Sequence, residues 1–198
     1  MKDTRLKIGL DVDDVLADFI GTFKTYLEKV TGRRLEGEPG SWDFVNWKVS
    51  KQEIDAAWRL VDSVNNFWMT LDTCRDIKLE HLWQLDRKNN LFFITSRDFT
   101  KGMPVEVQTA CWLESIGFVK PTVIVTKNKG SIVAALKLDA FIDDRFKNIE
   151  DIWYNDTGVG TKLFLRNRSH NQNIDPDFEY DILFQRVDSF EEFAKLYV

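Results

Sequence analysis

The sequence predicts an α/β protein built on a doubly wound parallel sheet. Three observations lead there: short apolar runs bounded by polar or turn residues, helical periodicity between them, and alternation of the two through the second half of the chain. Alternation of this kind implies parallel strands joined by right-handed crossovers, and such sheets bind ligands at the carboxyl ends of their strands.

Taken in order, the first strand is the run Leu6 to Leu10, which stops at Asp11. Val15, Leu16, Phe19, Phe23, Tyr26, Leu27 and Val30 then recur at helical spacing until Thr31-Gly32 ends the pattern. Gly32 to Trp47 mixes Gly37, Pro39 and Gly40 with Trp42, Phe44 and Trp47, which is loop chemistry carrying large aromatic groups. Ser50 followed by Glu53 predicts a capping box that opens a second helix. Further strands are expected at Leu91–Thr95, Thr122–Thr126, Ala140–Ile142 and Lys162–Leu165. Helices are expected at Leu79–Lys88, Val105–Ser115, Ser131–Leu136 and Ser189–Leu196, and the polar run Asn167–Asp177 reads as a surface loop. Roughly 80 residues separate the first strand from the second, where a crossover needs only about a dozen. The surplus predicts a helical module over residues 17–75, inserted into a core formed by residues 1–16 and 76–198.

The 198 residues, 43% hydrophobic and 13% aromatic, suffice for one buried core and a small accessory module. A net charge of −5 argues against non-specific nucleic-acid binding, yet a small anion remains a suitable ligand. The basic residues Lys162, Arg166 and Arg168 read as a solvated strand end. Cys74 and Cys111 lack Cys-x-x-Cys spacing, and His81 and His170 are the sole imidazoles, so neither zinc nor a disulfide framework is expected. The first residues lack the apolar core of a signal peptide, and no stretch approaches the roughly 18 apolar residues of a membrane span, which points to a cytoplasmic protein. Seven tryptophans imply exposed aromatics that could line a substrate pocket or a homodimer contact.

The strand ends carry the chemistry. The first is followed by Asp11-Val12-Asp13-Asp14, the second by Thr95-Ser96-Arg97, the third by Lys127-Asn128-Lys129-Gly130, and the fourth by Asp143-Asp144. Each is ambiguous alone, since acidic and hydroxylic residues also cap helices and form turns. Converging on one crevice, they form a phosphoryl-transfer set. Clustered carboxylates call for a divalent cation, and Mg²⁺ prefers a few carboxylate oxygens. One carboxylate can then attack phosphorus, a second can serve as acid and base, and Thr or Ser with Lys can meet the phosphoryl oxygens.

Asp11-Val12-Asp13-Asp14-Val15-Leu16, with Thr95-Ser96, Lys129 and Asp143-Asp144 in that order, resembles the motif set of the haloacid dehalogenase-like phosphohydrolases. More narrowly, Asp13 to Phe19 and Phe141 to Arg145 are similar to the 5′(3′)-deoxyribonucleotidase family. The resemblance implies a Rossmann-like core with a helical cap after the first strand, and hydrolysis of a nucleoside monophosphate with Mg²⁺. It implies that Asp11 is the nucleophile and Asp13 the general acid/base, that Thr95 and Lys129 serve the phosphoryl group, and that Asp11, Asp13 (through its carbonyl), Asp143 and Asp144 form the metal site. Phe19, Trp42, Phe44, Trp47, Phe67 and Trp68 become candidates for stacking on a base, with Ser96 and Arg97 as further substrate contacts. Two departures stand out: Asp14 replaces the usual Gly, and Arg97 replaces a Pro, where it could bind a second substrate anion or cap a helix. Lys127 rivals Lys129 for the catalytic role. A phosphatase acting on sugar phosphates or nucleic-acid 3′ ends, and a non-catalytic binding protein on the same fold, are the competing readings.

Overall fold

The computed structural model describes residues 5–156, 158–172 and 183–198. Its centre is a six-stranded sheet, all parallel, built from β1 (Lys7–Leu10), β2 (Asn90–Thr95), β3 (Thr122–Val125), β4 (Ala140–Asp143), β5 (Lys162–Arg166) and β6 (Phe184–Val187). The strand order is β3-β2-β1-β4-β5-β6. Order therefore reverses between β1 and β4, where crossovers leave on opposite faces and open a crevice at the carboxyl ends.

The expected strands all form, and β6 is an addition. Its sequence, Phe-Gln-Arg-Val, has no apolar run because it is an edge strand with two polar residues among four. Helices α3 (Leu79–Lys88), α4 (Val105–Ser115) and α7 (Phe190–Lys195) contribute to a core with Leu10, Phe93, Ile142 and Phe164. Helices α5 (Lys129–Leu136) and α6 (Phe146–Asn155) contribute to a second one with Ile94, Phe141, Leu163 and Leu165. Alternate residues of the strands thus enter different layers, as the pleat requires. Between the layers Gly9 permits close approach: a Cβ there would fall 2.4 Å from the Phe141 ring and 2.6 Å from Leu138.

Helix α6 lacks a predicted counterpart because Arg145 caps it without a side-chain hydrogen bond, so no local start signal exists. Helix α1 (Phe19–Thr31) begins later than the apolar periodicity suggests. Asp18 caps it, Oδ1 accepting from the Gly21 N–H at 2.9 Å, and the buried Val15 and Leu16 belong to the turn before it. Gly32 ends it at φ 66°. Helix α2 (Lys51–Ser63) has the expected capping box between Ser50 and Glu53, and packs on α1. Of the expected loop Asn167–Asp177, residues 167–172 hold a single 3-10 turn at Ser169–Asn171; the remainder lies outside the described residues. Of the seven tryptophans, Trp47, Trp68 and Trp112 are buried and Trp42 and Trp58 partly so, while Trp83 and Trp153 are exposed at 37% and 36%. Among the described residues no helix is long and apolar enough to cross a membrane.

Candidate active site

Asp11 prolongs the β1–β4 pairing by one step, its N–H donating to the Ile142 carbonyl at 3.0 Å. That bond sets it beside Asp143, the buried last residue of β4. Lys129 is the first residue of α5, whose cap is Asn128. Its Nζ lies 2.8 Å from Asp11 Oδ1 and 2.6 Å from Asp143 Oδ2. The rival Lys127 is exposed; it pairs with Asp98 at 2.8 Å and donates to the Ser96 carbonyl. Geometry thus places Lys129 in the crevice and Lys127 outside it. Asp143 is held further by the Arg145 N–H at 2.8 Å and by Asn148 Nδ2 at 2.9 and 3.0 Å.

Oxygens of Asp11, Asp143 and Asp144 lie within 4.8 Å of one another, and all three residues are buried. Burial pushes Asp11 well above the ordinary carboxylate range, with the Asp143 charge adding to it and Lys129 opposing. Burial also raises Asp143 against the opposing charge of Lys129. For Lys129 burial acts downward, but Asp11 and Asp143 outweigh it and hold the ammonium above its ordinary value. The Lys129 ammonium thus pairs with two of the three carboxylates, and Asp144 Oδ1 is buried with no hydrogen-bond partner among the described residues. An all-oxygen donor set with an unsatisfied carboxylate oxygen fits a hard divalent cation such as Mg²⁺.

The other oxygen of Asp144 is 2.6 Å from Nε2 of the buried His170, and Asn171 Nδ2 donates to the Asp144 carbonyl at 2.7 Å. Trp42 packs on His170 with centroids 4.7 Å apart, and the Arg145 guanidinium lies 4.7 Å from the Trp42 ring. Sequence reasoning assigned no role to His170, Asn148 or Asn171, because no spacing relates them to the acidic motifs. Only the approach of loop 167–172 and the first turn of α6 brings them in.

Asp13 faces a different neighbourhood. Arg97 donates to it from Nε at 3.1 Å to both oxygens and from Nη2 at 2.8 Å to Oδ1. The buried Thr95 places Oγ1 3.4 Å from Asp13 Oδ2. Arg97 therefore neither caps a helix nor holds its guanidinium free for a substrate anion, as the sequence allowed; a carboxylate already occupies it. Ser96 directs its hydroxyl to the Thr126 carbonyl at 2.9 Å.

Asp14 occupies the left-handed region at φ 55°, so this position does need positive φ, and Asp tolerates it where Gly would be ordinary. The turn is tied by Asp14 N–H to the Ala17 carbonyl at 2.7 Å, Ile20 N–H to Asp14 Oδ1 at 3.1 Å, and Arg168 Nε to the Asp14 carbonyl at 2.7 Å. Burial, then the Asp144 charge, push the Asp14 carboxyl well above its usual range.

Among the aromatic candidates, Phe19 neighbours Trp42, Trp58 and Trp68 with centroids 6.5, 5.6 and 5.9 Å away. Phe44 stacks on Trp47 at 5.5 Å, and Phe67 packs edge-on against Trp68 at 5.0 Å. Phe19, Phe44, Trp47, Phe67 and Trp68 are buried, whereas Trp42 is partly exposed at the edge of the cluster.

A doubly wound parallel sheet with carboxylates following β1 and β4 and meeting at its switch point is the arrangement of the haloacid dehalogenase-like hydrolases. Solved structures agree in fold. A haloacid dehalogenase-like family hydrolase from Streptococcus pneumoniae superposes with a TM-score of 0.59 at 14% identity, covering 97% of this chain and 98% of that one. A HAD-superfamily hydrolase, subfamily IA, variant 1, from Geobacter sulfurreducens gives 0.56 at 11% identity, covering 98% and 97%. A sequence search of the curated proteins returns no match. The family described as "5' nucleotidase, deoxy (Pyrimidine), cytosolic type C protein" matches residues 5–197, and the chain belongs to that family. It is a phosphoric monoester hydrolase.

Proposed function

We propose that the protein is a magnesium-dependent phosphatase of nucleoside monophosphates, deoxyribonucleotides in particular, working through a phosphoaspartyl intermediate on Asp11. The observation that carries this reading is the Lys129 bridge between Asp11 and Asp143, with Asp144 alongside and Asp13 across from Thr95.

In this scheme an Asp11 oxygen attacks phosphorus while Asp13 protonates the departing ester oxygen. Asp13 then takes a proton from water, which attacks phosphorus and releases Asp11. The Thr95 hydroxyl and the Lys129 ammonium meet the phosphoryl oxygens. Asp11, Asp143, Asp144 and the Asp13 carbonyl would hold Mg²⁺, whose charge would neutralise the carboxylates and the transferring group.

Residues 17–75 act as a cap on a core of residues 1–16 and 76–198. The partly exposed Trp42 is assigned to stacking on the base, with Phe19 buried beside it and Phe44 and Phe67 supporting them from within the aromatic cluster. Such stacking contributes about 1–3 kcal/mol, enough to favour nucleotides over sugar phosphates. The family description supports a nucleotide substrate and a cytoplasmic location.

The test is phosphate release from deoxyribo- and ribonucleoside 5′- and 3′-monophosphates, sugar phosphates and an aryl phosphate, with Mg²⁺ and with chelator. The expected result is preference for deoxynucleotides and loss of turnover in chelator. Activity confined to sugar or aryl phosphates would discard the nucleotide assignment and keep Asp11; full activity in excess chelator would discard the metal.

A further inference from the structure

Arg97 is enclosed on every side. Its guanidinium lies 4.7 Å from the Trp68 ring and 5.9 Å from the Trp112 ring, and Nη1 donates to Thr109 Oγ1 at 3.0 Å. Those partners are themselves anchored: Trp68 Nε1 donates to the Asp98 carbonyl at 2.9 Å, Trp112 Nε1 to Leu71 at 2.7 Å, and Thr109 Oγ1 to Val105 at 2.8 Å. The side chain has no solvent exposure, whereas the Asp13 side chain retains 17%. A cation placed so deeply has one charged partner and one orientation.

Each oxygen of Asp13 has two contacts, and those of Oδ1 are the shorter. Oδ1 accepts from both Nε and Nη2, at 3.1 and 2.8 Å, while Oδ2 shares the Nε contact and faces Thr95 at 3.4 Å. We propose that Arg97 is a positioning residue that holds the Asp13 carboxylate chiefly through the shorter contacts to Oδ1 and so turns Oδ2, the more weakly held oxygen, toward the ester oxygen. This deepens the reading of Asp13 as acid and base and rests on it. When the P–O ester bond breaks, the proton on Oδ2 moves to the departing oxygen while Oδ1 stays on the guanidinium. In the second half, water gives a proton to Oδ2 as its oxygen bonds phosphorus and the bond from phosphorus to Asp11 breaks. Trp68, outside the core segments, braces the guanidinium and so joins the segment 17–75 to the acid/base group.

The experiment measures the first-turnover rate of leaving-group release from a nucleoside monophosphate and from p-nitrophenyl phosphate, whose phenolate departs without protonation. Asp13→Asn, Arg97→Gln, Arg97→Lys and Thr109→Val are compared with the parent protein. Arg97→Gln is expected to slow release from the nucleotide by about 10–100-fold and from the aryl ester by less than about 3-fold, with KM nearly unchanged. Arg97→Lys should recover part of the loss, since an ammonium supplies charge without the planar fork. Thr109→Val, which removes only the Nη1 partner, should show the same split on a smaller scale and decides the matter if Arg97→Gln does not fold. Equal losses on both esters in the Arg97 and Thr109 variants, beside a clear split in Asp13→Asn, would overturn the role of Arg97 and leave the proposed mechanism standing. Absence of the split in Asp13→Asn itself would overturn Asp13 as the acid, and the inference with it.

Discussion

Asp11 and Asp13 stand two residues apart after the same strand, yet one lies among buried carboxylates under a lysine and the other against an arginine braced by two tryptophans. Around Asp11, negative charge exceeds positive: Asp143 and Asp144 face it, and burial drives its carboxyl upward. Around Asp13, a single cation contacts both oxygens and one side remains open to solvent. The contrast teaches that spacing alone sets two carboxylates at a strand end, while burial and neighbours give each a different electrostatic setting. A carboxylate crowded by like charges suits a cation and a phosphoryl group; one held by a fixed donor suits directed proton transfer.

The largest effect should come from Asp11→Asn, which removes the proposed nucleophile and is expected to leave turnover undetectable above background with every ester. Steady-state phosphate release checks it, and comparable activity in the variant would erase the distinction between the two residues. Asp13→Asn should come next, lowering turnover of nucleotides by about 10²–10⁴-fold while some phosphoenzyme still forms. Acid-quench trapping of labelled phosphate on the protein measures this, and failure to trap any with either natural or aryl esters would make the two carboxylates functionally alike.

A buried pair outside the comparison sharpens it. Arg166 is fully buried at the end of β5 and pairs with Asp76, a half-exposed carboxylate. Partial burial pushes Asp76 up, but the Arg166 charge and hydrogen bond outweigh it and leave the carboxyl below its ordinary range. Asp76→Asn should leave turnover within about 3-fold and lower stability by about 2–4 kcal/mol at neutral pH, towards the lower figure because Asp76 is partly solvated. A carboxyl lowered by folding contributes fully above its unfolded value of about 3.9 and loses that contribution as pH falls through its folded value. The deficit of the variant should therefore shrink below about pH 4, as urea unfolding at several pH values would reveal. The smallest expected effect is that of Asp14→Asn, which keeps a residue tolerant of positive φ and removes a repelled carboxylate; a gain of about 1 kcal/mol in stability, read by thermal unfolding, is expected.

Most of the sheet and the acidic motifs were legible because each rests on a local pattern. Apolar runs ending in Asp11, Thr95 and Asp143 announce buried strands and the residues that follow them. Strand β6 and helix α6 were not legible, since an edge strand needs no apolar run and a helix packed through Ile149 and Ile152 needs no cap signal. Between Lys127 and Lys129 only the spacing of the resembling family favoured Lys129; the first turn of α5 turns Lys129 inward to Asp11 and leaves Lys127 to Asp98.

By itself the sequence determined the order of the first five strands and of the helices other than α6, the surplus of residues after the first strand, and the kind of chemistry at the strand ends, because these depend on neighbours along the chain. Tertiary structure alone decided the partners: Arg97 on Asp13 across 84 positions, His170 on Asp144 across 26, and Asn148 on Asp143 beside Lys129. Such pairs arise where crossovers of opposite face bring separate loops to one crevice, and the direction of a side chain there is set by packing that no local pattern encodes.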